Sequence, residues 1–214
     1  MQLWPPQNDP TIPMHKKITF AALLAAVIGA LTLGSCASPP PPQTFAEITW
    51  SHLPPYMFKV SRVEVVSAYK PAFTAPFVEH LFPTPPEKVV RRWVQDRIHA
   101  NGPAGWAKVT INDASVKETT LQHSHDFTSH FTVEQGEKYE ASVDVTIEIY
   151  GPRGFRDGFA SAHAVRTQTV PENATLNERE RFWYDLTDGV MQDFNAEMEK
   201  NIGLYLKRFL VVPG

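Results

Sequence analysis

The sequence predicts an α+β domain: a four-stranded antiparallel sheet with two helices packed on one face, in the order β-α-β-β-β-α. Three observations lead there. Within residues 139–150, Ala141, Val143, Val145, Ile147 and Ile149 alternate with Glu140, Ser142, Asp144, Thr146 and Glu148, the pattern of a strand with one wet face. Residues 89–98 and 183–209 repeat apolar side chains at three- and four-residue steps, as amphipathic helices do. With 43% hydrophobic and 20% charged residues in 214, the composition is that of a globular protein with one core.

The domain begins late in the chain. From Met14 the sequence reads MHKKITFAALLAAVIGALTLGSC, in which Lys16 and Lys17 precede a 16-residue apolar run, 18–33. Small residues Gly34 and Ser35 then stand before Cys36. This is the three-part layout of a secretory signal. Translation is expected to start at Met14, because residues 1–13 place Trp4 and four prolines ahead of the lysines. An uncleaved anchor helix is the alternative, but the run is shorter than the ~20 apolar residues of a span. The composition also switches at once, after Cys36, to a proline run.

Leu33-Gly34-Ser35-Cys36 resembles the lipobox of bacterial lipoproteins. The resemblance implies that Leu33, Gly34 and Ser35 are read by the processing enzymes, that residues 1–35 are removed, and that the Cys36 thiol accepts a diacylglyceryl group. The freed amine of Cys36 is then acylated too. One acyl chain anchors a protein only marginally, and additional chains make attachment stable. Ala37, where Asp would imply inner-membrane retention, implies the periplasmic face of the outer membrane. Cys36 is the single cysteine, so neither an internal disulfide nor a Cys-based zinc site is available.

Residues 36–56 hold the modified cysteine, a Pro-rich tether (37–44) and an irregular lead-in with Trp50. Pro stiffens the tether toward ~3.1 Å per residue. The globular domain, 57–214, opens with a Val-rich strand over 57–69 whose alternation slips between Val60 and Val63, as at a bulge. After a loop with three prolines, Thr84-Pro85-Pro86-Glu87 reads as a capping box. Val89, Val90, Trp93, Val94 and Ile98 then form a helical stripe that Asn101-Gly102 ends. Ala107, Val109 and Ile111 mark a second strand. Strand 139–150 turns at 151–154 into strand 155–170, where Ala160, Ala162 and Ala164 let a helix lie close. The last helix is capped by Asn177 with Glu180. It carries Trp183, Leu186, Val190, Phe194, Met198, Ile202, Tyr205 and Phe209 on one face.

Over residues 57–209 this layout, behind a lipidated cysteine, resembles the outer-membrane lipopolysaccharide-assembly lipoproteins that plug a transport barrel, and uncharacterised envelope lipoproteins of this size. The resemblance implies a non-enzymatic accessory or assembly component of a cell-envelope complex, with an envelope protein as partner. The alternative is a periplasmic lipoprotein that binds lipid or a small hydrophobic ligand between helices and sheet.

The charge does not point to a nucleic-acid partner. Without residues 1–35, which hold Lys16, Lys17 and Asp9, the chain has 18 basic and 22 acidic side chains, a net charge of −4. Nucleic-acid binding would call for clustered Lys and Arg. The covalent lipid on Cys36 is the one attached group expected. His123, His125 and His130, beside Asp126, are candidate zinc or copper ligands; a polar connection also collects histidines by composition alone. His163 lacks a partner nucleophile in any Gly-x-Ser-x-Gly or Cys-His pattern. Glu140, Asp144 and Glu148 form a row that is either a solvated face or a site for a basic partner. Phe182 and Tyr184 flank the core stripe at the start of the last helix, where an exposed aromatic would contact a partner.

Overall fold

The computed structural model describes Gln2, residues 43–121 and residues 135–211. The chain divides into two units, Met1–Pro41 and Pro42–Gly214, and the second is described here. It runs β1 (Tyr56–Phe58), β2 (Arg62–Ser67), a 3-10 turn (Glu79–Leu81), α1 (Pro86–Arg97) and β3 (Ile98–Ala100). Then come β4 (Trp106–Asp113), β5 (Val116–Thr120), β6 (Gln135–Tyr150), β7 (Arg156–Pro171) and α2 (Leu176–Asn201). A π turn (Ile202–Leu206) and a 3-10 turn (Lys207–Phe209) follow.

The class is the expected one, α+β with two helices on a sheet, but the expected four-stranded antiparallel sheet is instead a five-stranded mixed sheet beside a separate two-stranded parallel one. β6 is the hub. β7 pairs with it antiparallel from Gln135↔Pro171 to Tyr150↔Arg156. Its other side is shared between β5, at Glu137 to Ala141, and β4, at Asp144 to Tyr150. β2 adds outside β4, and this pair is parallel, from Arg62↔Trp106 to Ser67↔Ile111. α1 lies between β2 and β4 in the chain, and a helical crossover returns a strand in the same direction. β5 escapes the sequence pattern because Val116 is its one buried residue, too little to make an alternation.

The slip between Val60 and Val63 is a break rather than a bulge. Phe58 and Val60 are both buried, and the Val60 N–H donates to the Phe58 carbonyl at 2.8 Å. β1 then pairs in parallel with β3 in a separate two-stranded sheet. That pairing claims Ile98–Ala100, so α1 stops at Arg97 and Asn101-Gly102 follows a strand. Gly102 is required there: a Cβ would sit 2.5 Å from the Lys59 carbonyl carbon.

Both caps also differ from expectation. α1 starts after Pro85 with no side-chain cap; Glu87 pairs instead with Arg91 at 2.8 Å. α2 is capped by Thr175, whose Oγ1 accepts from the Glu178 N–H at 3.3 Å while Glu178 accepts from the Thr175 N–H at 2.8 Å. This reciprocal box lies two residues before the Asn177–Glu180 pair read from the sequence.

The core lies between the helices and the inner sheet face. Trp93 meets Phe194 edge-on at 5.1 Å, and Phe82 stacks on Trp183 at 5.0 Å. The α2 stripe is buried from Trp183 through Ile202. There the π turn, with its i→i+5 spacing, changes the phase. Leu206 takes the core position that an α-helix would give to Tyr205, which faces out.

Candidate functional site

Leu33, Gly34, Ser35 and Cys36 lie outside the described residues, as do His123, His125 and His130. Among the described residues, no group of three or more His, Cys, Asp or Glu is placed to hold a metal ion, and no helix is long and apolar enough to cross a membrane. Phe182 and Tyr184 are both half-buried. Tyr184 stacks on Phe45 of the lead-in, with centroids 4.9 Å apart, and Phe182 packs against the core. Their rings therefore serve contacts within the chain.

The lead-in is fastened to α1 by a Glu47–Arg92 pair at 3.0 Å and, more extensively, through the Asp96 carboxylate. Asp96 accepts from the Thr49 hydroxyl at 2.6 Å, the Trp50 N–H at 2.8 Å and Arg92 Nε at 2.9 Å. Burial disfavours its charge, but these three donors outweigh burial and hold the carboxyl below the usual aspartate range. Next on the helix, Arg97 is buried. Its guanidinium lies over the Tyr56 ring at 4.7 Å and donates to the Pro54 carbonyl and to Glu199.

A second buried charge sits at the opposite rim. Glu79 accepts from the Tyr69 hydroxyl at 2.6 Å and the Val116 N–H at 3.3 Å. Burial, then the hydrogen bond to Glu79, raises the Tyr69 pKa well above its ordinary value. Both residues help line a groove of about 420 Å³ with Pro71, Phe73 and Pro85. Phe73 has φ of 56°, a conformation bulky side chains rarely adopt, and its exposed ring meets His80 with centroids 5.4 Å apart.

The acidic row of β6 lies on the sheet face turned away from the helices, and its members are engaged. Glu140 is 3.7 Å from Lys138. Asp144 accepts from Asn112 at 2.7 Å and lies 3.7 Å from His163 Nδ1. Glu148 accepts from Arg156 at 2.8 Å and from the Tyr150 hydroxyl at 3.2 Å. The Arg156 bond is the main cause holding the Glu148 carboxyl below its usual range, with burial opposing. Each of these carboxylates is thus held by a neighbouring side chain, Glu148 in a largely buried position. Beside it, Trp106 stacks on Tyr150 at 4.9 Å and carries Arg62 over its ring at the same distance.

Sequence reasoning missed the exposed residues at the end of this face. Phe155 and Phe159 flank the start of β7, and Leu204 and Tyr205 stand out from the π turn. A groove of about 570 Å³ separates β7 from that turn. Phe159 was legible as an outward residue, because it alternates with the buried Ala160. Tyr205 was not, since the change from α to π phase exposes it; Leu204 lies off the helical stripe, two residues from Ile202.

No family model matches the chain, and no curated protein does. Among solved structures it is similar to the rare lipoprotein B from Shewanella oneidensis, with 9% identity and a TM-score of 0.31, over 65% of this chain and 92% of that one.

Proposed function

We propose that this chain is a lipoprotein anchored through Cys36 at the periplasmic face of the outer membrane, where its domain is a non-enzymatic accessory or assembly subunit of an envelope complex. The observation that carries the reading is Leu33-Gly34-Ser35-Cys36, closing a 16-residue apolar run and opening a proline tether. The outward sheet face, displayed from β2 to β7, offers a surface on which a partner can dock. Labelled palmitate should enter the native chain and not Cys36→Ser. Crosslinking in intact cells, read by mass spectrometry, should then join the domain to an envelope protein. Palmitate incorporation that survives Cys36→Ser would sink the anchor; recovery of the native domain with no crosslinked partner would sink the assembly role.

The groove of about 420 Å³ beside Phe73, rather than the expected space between helices and sheet, favours a second reading, a binder of small hydrophobic molecules. Trp93, Phe194, Trp183 and Phe82 fill the space between the helices and the sheet, so such a ligand would occupy the rim groove at Tyr69, Pro71 and Phe73. Loss of apolar-dye binding in Phe73→Asp, with unchanged unfolding, would support this reading.

A further inference from the structure

One end of the domain, where the β6–β7 hairpin meets the turns after α2, combines apolar side chains in water with cations that lack counter-ions. Phe155, Phe159, Leu204 and Tyr205 are between 52% and 68% exposed. Scattered exposed apolar residues are ordinary, but these gather around the first residues of β7. Phe159, Leu204 and Tyr205 line one groove, and Phe155 directly precedes the strand. The arrangement is built in. Phe209 and Leu206 close over Gly158, where a Cβ would meet the Phe209 ring at 2.5 Å. Arg208 donates to the Asp157 carbonyl beside it.

The cations lie at the same end. Arg153 is over the Phe155 ring at 6.0 Å, and Lys59 Nζ reaches the Arg208 carbonyl at 3.5 Å. Among the described residues, Lys59, Arg153, Lys207 and Arg208 are exposed and form no ion pair. The acids nearby are Asp157, exposed at the start of β7, and Glu197, which lines the groove and pairs with Lys200, so the cations of this end exceed its unpaired carboxylates. Protein interfaces are enriched in aromatics and arginine but depleted of lysine, so Lys59 and Lys207 are the residues that set this end apart from one. Aromatic and aliphatic tips interleaved with Lys and Arg are instead the chemistry of a surface that lies on anionic lipid.

We propose that this end is a non-covalent membrane contact, which seats on an anionic bilayer surface. Phe155, Leu204 and Tyr205 enter the boundary between headgroups and acyl chains, and Lys59, Arg153, Lys207 and Arg208 meet the phosphates. The contact does not rest on the lipid at Cys36.

The test uses the full chain carrying Cys36→Ser, so that no covalent lipid contributes, with vesicles of phosphatidylcholine alone or mixed with phosphatidylglycerol. The N-terminal apolar segment can enter either vesicle, so the readout is local: amide hydrogen exchange in residues 151–159 and 202–209. Exchange there should slow in the phosphatidylglycerol vesicles alone and recover in high salt, which shortens the screening length. One basic residue near such a surface is worth about five-fold in binding, so Arg153→Glu with Lys207→Glu should weaken the contact by at least about 25-fold. Phe155→Ser with Tyr205→Ser should weaken it with the charges intact, and unchanged exchange in β4 and β6 shows that either variant is folded. No slowing, equal slowing in both vesicles, or indifference to the charge reversals would overturn the proposal, the last pointing to a protein partner. Palmitate labelling reads the anchor separately, so either idea can fail alone.

Discussion

The indole N–H of Trp93 on α1 donates to the carboxamide oxygen of Asn195 on α2 at 2.8 Å, inside the core and across 102 positions of sequence. Among the described residues it is one of two polar links between the helices, the other being Arg97 to Glu199. Replacing Asn195 with Leu strands a buried donor, which costs about 1–3 kcal/mol. Adding Trp93→Phe removes that donor, so the double variant should lose less than the sum of the single losses. Urea unfolding of the four proteins measures this coupling, and strict additivity would show that the bond contributes nothing.

Arg97 and Glu199 form an unequal pair. The guanidinium side chain is 2% exposed and the carboxylate side chain 40%. Water can replace the interactions of Arg97 only poorly, whereas Glu199 is within its reach. Arg97→Ala also removes the Pro54 bond and the Tyr56 ring contact, so about 2–4 kcal/mol should be lost. Glu199→Ala leaves the buried guanidinium without its counter-ion, so it should cost a comparable amount, about 2–4 kcal/mol. A loss near zero in denaturant unfolding would show that water at the exposed carboxylate position takes its place.

Acid should loosen the lead-in. Folding holds the Asp96 carboxyl below its ordinary pKa, so the folded chain releases this proton more readily than the unfolded chain. The resulting stability is complete above the unfolded value of about 4. It drains away as pH falls from there through the depressed folded value. Glu148 contributes with the same sign. Asp96→Asn should lower stability at neutral pH and flatten the acid limb, and exchange at Thr49 and Trp50 should report it first. An unchanged acid limb in Asp96→Asn would place the sensitivity elsewhere.

What was legible in the sequence was what local periodicity writes. β6 alternates because water touches one of its faces, and the α2 stripe repeats because one side meets the sheet. β1 and β3 left no such mark: each is three residues long and exists through a partner about 40 positions away. Glu79 likewise reads as a surface residue until Tyr69 and the Val116 N–H close over it. Of the proposed site, the expectation at Cys36 rests on a continuous peptide alone and lies outside the described residues. The apolar end was not legible, because Phe155 and Tyr205 converge only once β7 and the π turn pack together.

Two glycines at that end should respond oppositely to the same change. A Cβ on Gly203, in the π turn, would meet nothing within 4 Å. Gly203→Ala therefore removes unfolded-state freedom at no steric cost, and should stabilise by about 0.5–1 kcal/mol. At Gly158 the same Cβ would sit 2.5 Å from the Phe209 ring and 3.3 Å from Leu206. Gly158→Ala should lift the last helical turns from β7 and cost about 1–3 kcal/mol. Thermal unfolding gives both signs, and exchange at 206–209 separates local lifting from global loss. A neutral Gly158→Ala would mean that Phe209 swings aside freely, and that the turn does not hold Leu204 and Tyr205 in place.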